Sequence, residues 1–250
     1  MKEEFIFGKN SVEALLTQSD RPVNKIFLLS TTNRDARIQK ILKLARNQKI
    51  PVTEISKDKV NKMFETQVNH QGIIASVSPV DYIEIDDLVE GLADKKDLPL
   101  LILLDNVEDP QNMGSIIRTS EFLGADGVVI TKRRGAQVTG TVCKASSGAT
   151  EFISLVRVEN MVNTIKYLKE NNFWIAGAEN DPLAKHVYEV DLKIPLAIVM
   201  GSEGKGISRL AKENCDFIIK IPQYGRVSSL NVANALSMIL YEVIRQRVTN

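Results

Sequence analysis

Short apolar runs alternate with amphipathic segments along most of the chain, and this alternation predicts strands and helices in turn. Early apolar runs predict strands at 25–29, 51–55 and 73–77. Between the first two, helical spacing from Ile38 to Ala45 predicts a helix. Asn10 and Ser11 are predicted to cap an earlier helix, and Ser56 a later one. The first part of the chain therefore predicts a small α/β domain.

The pattern weakens after Val77 and then restarts with stronger strands. The stretch 76–97 contains 7 Asp and Glu residues but only 2 Lys, a composition typical of a solvated linker. We predict one short helix in it, near 86–92. Beyond it we predict strands at 100–104, 127–130, 173–178, 196–200 and 217–221, and helices at 113–123, 161–169 and 230–247. Such apolar strands fit a mostly parallel sheet covered by helices. The fold class is α/β, with a small domain (1–77), an acidic linker (78–97) and a larger domain (98–250).

The composition excludes several classes of protein. With 44% hydrophobic and 25% charged residues in 250, the chain is neither disordered nor fibrous. Its 2 cysteines, Cys143 and Cys215, have no clustered histidines, which argues against structural zinc and fits a reducing compartment. No apolar run approaches the roughly 20 residues of a membrane helix. We expect a soluble, cytoplasmic protein.

The net charge of +1 conceals an uneven distribution. Residues 1–75 carry 13 Lys and Arg against 8 Asp and Glu, a net charge of +5. A positive first domain is typical of proteins that bind a polyanion such as RNA. A well-solvated lysine-rich surface is the alternative interpretation.

Three polar or glycine-rich segments follow predicted strand ends, where open α/β sheets bind ligands. They are Asp105–Arg118, which contains Asn112; Met200-Gly-Ser-Glu-Gly-Lys-Gly206; and Ile221–Val232, which contains Ser229 and Asn231. The second matches neither a phosphate-binding P-loop nor GxGxxG, because Ile207 and Ser208 follow Gly206. Two simpler interpretations stay open. Arg118 would then be a surface arginine that pairs with Glu121, and the glycines would form an ordinary connection between a strand and a helix.

The last predicted helix is unusually apolar. Ten of the thirteen residues from Val232 to Ile244 are apolar, too many for one exposed stripe. Packing against a second subunit or deep burial within one subunit would explain the composition.

Taken together, the three segments resemble the ordered motifs of the SpoU (TrmH-type) RNA 2′-O-ribose methyltransferases of the SPOUT class. Phe7-Gly8-Lys9-Asn10 and Asn69-His70-Gln71-Gly72 resemble the amino-terminal RNA-binding domain, related to a ribosomal protein fold, of the bacterial 23S rRNA guanosine-2′-O-methyltransferases. The resemblance covers essentially the whole chain. It implies a carboxy-terminal trefoil knot, a homodimer, large-subunit rRNA as substrate, and no need for a metal or a membrane.

The resemblance also implies roles for individual residues. S-adenosylmethionine would be held largely by backbone groups at Gly201, Ile221 and Leu230. Arg118 would be the central catalytic residue. The residues that would position the ribose and Arg118 are Asn112, Glu203, Ser229 and Asn231. Lys132, Arg133 and Arg134 would supply further phosphate contacts.

Other functions fit parts of the same sequence pattern. A tRNA ribose methyltransferase would use the same motifs, and a catalytically silent RNA-binding protein could keep the same fold. A Rossmann-type dehydrogenase is disfavoured because its fingerprint is missing. We further expect that deletion of residues 1–77 would leave cofactor binding intact and weaken RNA methylation.

Overall fold

The computed structural model describes residues 4–64, 68–132 and 135–249. Its strands are β1 (Glu4–Phe7), β2 (Val23–Leu29), β3 (Val52–Ile55), β4 (Ile73–Val77), β5 (Leu100–Asp105), β6 (Gly127–Thr131), β7 (Ser154–Val158), β8 (Trp174–Ala178), β9 (Lys185–His186), β10 (Leu196–Gly201) and β11 (Phe217–Lys220). Its α-helices are α1 (Lys9–Gln18), α2 (Ala36–Asn47), α3 (Lys57–Met63), α4 (Ile85–Leu92), α5 (Pro110–Phe122), α6 (Gly140–Ala145), α7 (Met161–Glu170), α8 (Arg209–Asn214) and α9 (Val232–Val248). Single 3₁₀ turns lie at Ala149–Glu151 and Val187–Glu189.

The chain divides into two compact units. Unit 1 comprises Met1–Asp81 with Val138–Phe152, and unit 2 comprises Tyr82–Gln137 with Ile153–Asn250. Residues 138–152 thus pack with the first unit, although they lie far along the sequence. The boundaries at 77/78 and 97/98 stay a prediction, but part of the segment expected to be a linker has a packed role: α4 buries Leu88 and Val89 in the core of unit 2.

Unit 1 is a four-stranded sheet with strand order β1-β4-β2-β3, with helices packed on it. The predicted cap of α1 is wrong. The helix begins after Gly8, and the Gln71 side chain accepts from the Lys9 backbone N–H at 2.9 Å. Ser11 lies inside the helix and donates its hydroxyl to the Cys143 carbonyl at 3.1 Å. Ser56 does occupy the cap position of α3, without a side-chain hydrogen bond.

Unit 2 is a seven-stranded sheet with strand order β7-β6-β5-β10-β8-β11-β9, and every strand pairing in it is parallel. The central strands β5 and β10 are buried along their full length. The prediction of a mostly parallel sheet covered by helices is confirmed. All carboxyl ends of a parallel sheet lie at one edge, so the loops after β5, β10 and β11 are brought to the same side of unit 2.

Helix α9 buries one face and exposes part of the other. Leu236, Leu240 and Val243 are fully buried, whereas Met238 is 50% and Tyr241 67% exposed. The interpretation of deep burial within one subunit is therefore wrong.

Near the end of α9, Arg247 clamps the backbone of two other segments. Its guanidinium donates to the carbonyls of Leu98 (2.6 Å) and Pro99 (3.2 Å). It also donates to those of Leu192 (3.4 Å) and Ile194 (2.8 Å). Burial lowers the pKa of Arg247 from its ordinary value. The clamp ties the carboxy-terminal helix to the segments that lead into β5 and β10.

We expect Arg247→Met to lower the free energy of unfolding by about 3 kcal/mol, since partly buried carbonyls would lose the donors of the guanidinium. Urea denaturation measures the change. The control is Arg245→Met, because Arg245 is exposed and pairs with Glu242 on the same helix, a contact worth at most about 0.5 kcal/mol. Equal effects of the two substitutions would contradict the clamp.

Candidate active site

Three side chains from the three predicted segments meet in a closed hydrogen-bond triangle at the carboxyl edge of unit 2. Asn231 Nδ2 donates to Asn112 Oδ1 and to Glu203 Oε1, each at 2.7 Å. Asn112 Nδ2 donates to the same Glu203 oxygen at 2.9 Å. The triangle joins the start of α5, the loop after β10 and the start of α9 into one site.

Two residues of this triangle lie at helix starts, Asn112 in the first turn of α5 and Asn231 at the cap of α9. Asp109 caps α5 by accepting from the Asn112 backbone N–H at 2.8 Å. Asn231 caps α9, since its Oδ1 accepts from the backbone N–H groups of Ala233 and Asn234 at 3.0 and 3.3 Å. Because the cap uses Oδ1, the Asn231 amide group Nδ2 must point away from the helix and towards its two partners. Asn231 therefore both caps α9 and donates to its two partners in the triangle.

A cavity of about 550 Å³ opens beside the triangle between the loops after β5 and β10. Its lining is mostly polar and of both charges, and the residues are Asn106, Val107, Glu108, Asp109, Asn112, Ser202, Glu203, Lys205, Gly206, Ser208 and Val232. A cavity of this size can accept a nucleoside-sized group.

Buried Asp105, at the end of β5, fixes these loops and was missed by sequence reasoning. Its side chain accepts from the Ser208 backbone N–H at 2.7 Å and from Asn106 Nδ2 at 2.8 Å. The available signal was a lone carboxylate at the end of a fully apolar strand, a placement that requires hydrogen-bond partners.

Gly201, the last residue of β10, lies where the loop that follows leaves no room for a side chain. Ser202 and Gly206 exchange two backbone hydrogen bonds, which folds the loop back over Gly201. A Cβ on Gly201 would lie 2.1 Å from the carbonyl carbon of Gly206. A glycine at 201 is therefore required by the close approach of this loop to the end of β10.

We expect Gly201→Ala to displace the loop and lower the free energy of unfolding by about 2 kcal/mol, the usual cost of forcing atoms into a packed site. Thermal denaturation measures it. The control is Gly91→Ala in α4, where nothing lies within 4 Å of an added Cβ. A Gly201→Ala protein as stable as the control would refute the close approach.

The other predicted site residues lie near the triangle without joining it. Arg118 is exposed on α5, six residues beyond Asn112 and so about 9 Å further along the helix. Ser229 is exposed two residues before the cap of α9. The triangle's hydrogen bonds include neither residue, and their roles stay predictions.

The three predicted cofactor positions also lie at the carboxyl edge of unit 2. Gly201 ends β10, Ile221 directly follows β11, and Leu230 immediately precedes the cap of α9. Strand β8 lies between β10 and β11. Of the predicted phosphate contacts, Lys132 pairs with Glu159 at 2.8 Å, and Arg133 and Arg134 lie outside the described residues.

At the end of β8, Glu179 leaves one buried carboxylate oxygen unsatisfied. Its Oε2 is buried and has no hydrogen-bond partner within the described part of the chain. An orphaned buried acceptor at a ligand edge is a place where a bound donor would be stabilised. Nothing in the sequence pattern distinguished this residue.

Among the described helices, none is long and apolar enough to span a membrane.

Comparison with known proteins agrees with this geometry. Residues 99–241 match the SpoU rRNA Methylase family, and residues 5–83 match the family "RNA 2′-O ribose methyltransferase substrate binding". YacO of Bacillus subtilis (strain 168), described as a TrmH family tRNA/rRNA methyltransferase, is 41% identical over 98% of this chain and 97% of its own.

Solved structures share the fold. The SpoU methyltransferase AviRb from Streptomyces viridochromogenes, in complex with the cofactor AdoMet, has a TM-score of 0.81 at 22% identity and covers 99% of this chain and 92% of its own. A TrmH/SpoU tRNA modifying enzyme of A. aeolicus has a TM-score of 0.56 at 30% identity, covering 65% of this chain and 81% of its own. On the family match and the full-length relatives, this chain belongs to the SpoU (TrmH-type) family of RNA methyltransferases.

Proposed function

We propose that the protein transfers a methyl group from S-adenosylmethionine to the ribose 2′-hydroxyl of a guanosine in 23S (large-subunit) rRNA. The observation that carries this proposal is the Asn112–Glu203–Asn231 triangle beside a nucleoside-sized cavity. Each member comes from a different one of the three segments that resemble the family motifs. A site assembled from all three supports an active enzyme over a silent RNA-binding protein.

The residues at the carboxyl edge of unit 2 fit the cofactor. When bound, S-adenosylmethionine supplies an electrophilic methyl group and presents hydroxyl and amino donors. The half-exposed Leu230 and half-buried Ile221 offer apolar contact and backbone groups, and the orphaned Glu179 oxygen offers an acceptor. Gly201, Ile221 and Leu230 would hold the cofactor mainly through their backbones.

The triangle would orient the target ribose, because each of its side chains is held by at least two hydrogen bonds. Rigid placement of a hydroxyl in line with the group it attacks supplies much of the catalysis in such displacements. Of the three, Glu203 is the group able to accept the hydroxyl proton, since an asparagine amide cannot. Ser229, at the exposed start of the α9 segment, would complete the ribose contacts.

Arg118 would hold the phosphate next to the target ribose and stabilise charge that develops on the 2′-oxygen. An arginine stays protonated under ordinary conditions, so a role as base is disfavoured. Its forked guanidinium matches phosphate geometry with two parallel donors. Arg118 would act electrostatically.

Unit 1 would bind the RNA. Its match to a substrate-binding family and the net charge of +5 over residues 1–75 support this role. Truncation is a poor test, because residues 138–152 belong to the same unit and bury Val142 and Cys143 there. Substituting exposed lysines of unit 1 would test RNA affinity and its salt dependence without unfolding.

We also propose a homodimer, a trefoil knot and a cytoplasmic location. Met238 and Tyr241 on α9 and Phe122 at the end of the contacting helix α5 are exposed apolar side chains, which support the dimer. The insertion of β10 between the earlier strands β5 and β8 supports a threaded carboxy-terminal segment. An RNA substrate and two free cysteines support the cytoplasm.

The substrate is tested by transfer of a labelled methyl group to large-subunit rRNA and to tRNA, offered separately. We expect label in large-subunit rRNA, since the separate amino-terminal substrate-binding domain supports that substrate. Label in tRNA alone would favour the alternative of a tRNA ribose methyltransferase. Cofactor binding without transfer to either RNA would favour the silent RNA-binding protein.

A further inference from the structure

Glu179 lies between β10 and β11, the two strands that lead to proposed cofactor contacts. It directly follows β8, the strand between β10 and β11, and its backbone N–H donates to the Ile219 carbonyl of β11 at 3.0 Å. Its carboxylate reaches towards the glycine-rich loop after β10. A Cβ on Gly206 would lie 3.3 Å from Glu179 Cδ and 3.4 Å from its Oε2.

Lys212 of α8 fixes the direction of this carboxylate. Its ammonium lies 2.9 Å from Glu179 Oε1 and 2.7 Å from Asp181 Oδ2. The same ion pair lowers the pKa of the Asp181 carboxyl. Lys220 donates to the backbone carbonyl of Asp181 at 3.1 Å, so two cations balance the two carboxylates. With Oε1 committed to Lys212, the orientation of Oε2 is set.

That second oxygen is left without a donor. It is buried and unpartnered in the described part of the chain, and a buried carboxylate oxygen without a hydrogen bond is costly. Gly206 lies next to it with φ +67°, a left-handed conformation that favours glycine, so no side chain of residue 206 crowds the carboxylate. The carboxylate thus faces the loop, and its Oε2 still lacks a hydrogen-bond donor in the described part of the chain.

We propose that Glu179 binds a hydroxyl of the cofactor's ribose through its orphaned oxygen. The inference rests on the proposed function and adds an acidic cofactor-binding residue to a site otherwise built from backbone groups. A hydroxyl suits the position better than the cofactor's ammonium, because Lys212 already neutralises this carboxylate. Carboxylates at strand ends of α/β sheets recognise ribose hydroxyls in other nucleotide sites.

The test is isothermal titration calorimetry with S-adenosylhomocysteine and with its 2′-deoxyribose and 3′-deoxyribose analogues. We expect Glu179→Gln to bind S-adenosylhomocysteine about tenfold more weakly than the wild-type protein, as for loss of a hydrogen bond to a charged group. The wild type should bind one deoxy analogue about tenfold more weakly than the parent, and the variant should lose this discrimination. Glu213→Gln is the matched control, because Glu213 pairs with Arg209 on the exposed surface of α8.

Two outcomes would overturn the proposal while leaving the proposed function intact. One is unchanged affinity of the Glu179→Gln protein for S-adenosylhomocysteine. The other is a wild-type protein that binds the parent and both deoxy analogues equally, a comparison that needs no folded variant. Failure of the wild type to bind S-adenosylhomocysteine at all would instead overturn the proposed function, and this inference with it.

Discussion

Replacing Arg118 by lysine is expected to lower the rate of methyl transfer about a hundredfold while leaving S-adenosylhomocysteine affinity within twofold. The expectation follows from the proposed electrostatic role: loss of a donor aimed at developing charge costs about 10²–10³ in rate. Lysine keeps the charge but lacks the planar fork that holds a phosphate with two donors. Single-turnover methylation of RNA measures the rate, and calorimetry measures binding.

Arg209→Lys is the matched control for Arg118→Lys. Arg209 is an exposed helical arginine of unit 2 and pairs with Glu213 at 2.7 Å, outside the triangle and the cavity. The control protein should methylate at the wild-type rate. Near-normal transfer by the Arg118→Lys protein would refute the requirement for a guanidinium.

The second large effect is expected from Asn231→Asp, which separates the two roles of this residue. An aspartate still caps α9, so the start of the helix should be kept. It cannot donate to Asn112 and Glu203, and it would place a carboxylate within about 3 Å of the Glu203 carboxylate, where like charges repel. We expect the rate of methyl transfer to fall about a hundredfold, measured under single-turnover conditions with thermal denaturation in parallel.

Asn160→Asp provides the control because Asn160 caps α7 in the same way. Its Oδ1 accepts from the backbone N–H groups of Val162 and Asn163 at 2.9 and 3.2 Å. Both variants should keep their helix starts, and the Asn160→Asp protein should be fully active. If Asn231→Asp kept full activity, the triangle would have no catalytic role.

The parts of the fold that the sequence could predict are those with continuous local signals. Strands β4, β5 and β10 are apolar runs, and their bounds agree with the predictions within one residue. Strands β1 and β7 and the short helix α8 were missed, since each has only a few residues and no strong periodicity. The packing of residues 138–152 with unit 1 depends on long-range contacts that no local pattern carries.

The sequence predicts which segments form the site, but only some of the contacts between their side chains. Motif resemblance selected Asn112, Glu203 and Asn231, and the parallel sheet brings them within hydrogen-bond distance. Asp105 and Glu179 were missed because each acts through loops that come from distant strands. Their importance depends on the strand order β5-β10-β8-β11, which the linear sequence does not reveal.

We propose that the triangle in unit 2 directs methylation to a ribose 2′-oxygen. The most direct test is to label RNA with tritiated S-adenosylmethionine, digest it to nucleosides and identify the labelled product. We expect 2′-O-methylguanosine, and in the undigested RNA the methyl group should protect the adjacent 3′-phosphodiester from alkaline cleavage because the 2′-oxygen is blocked. A label found on a base, with the ribose still sensitive to alkali, would refute ribose methylation by this site.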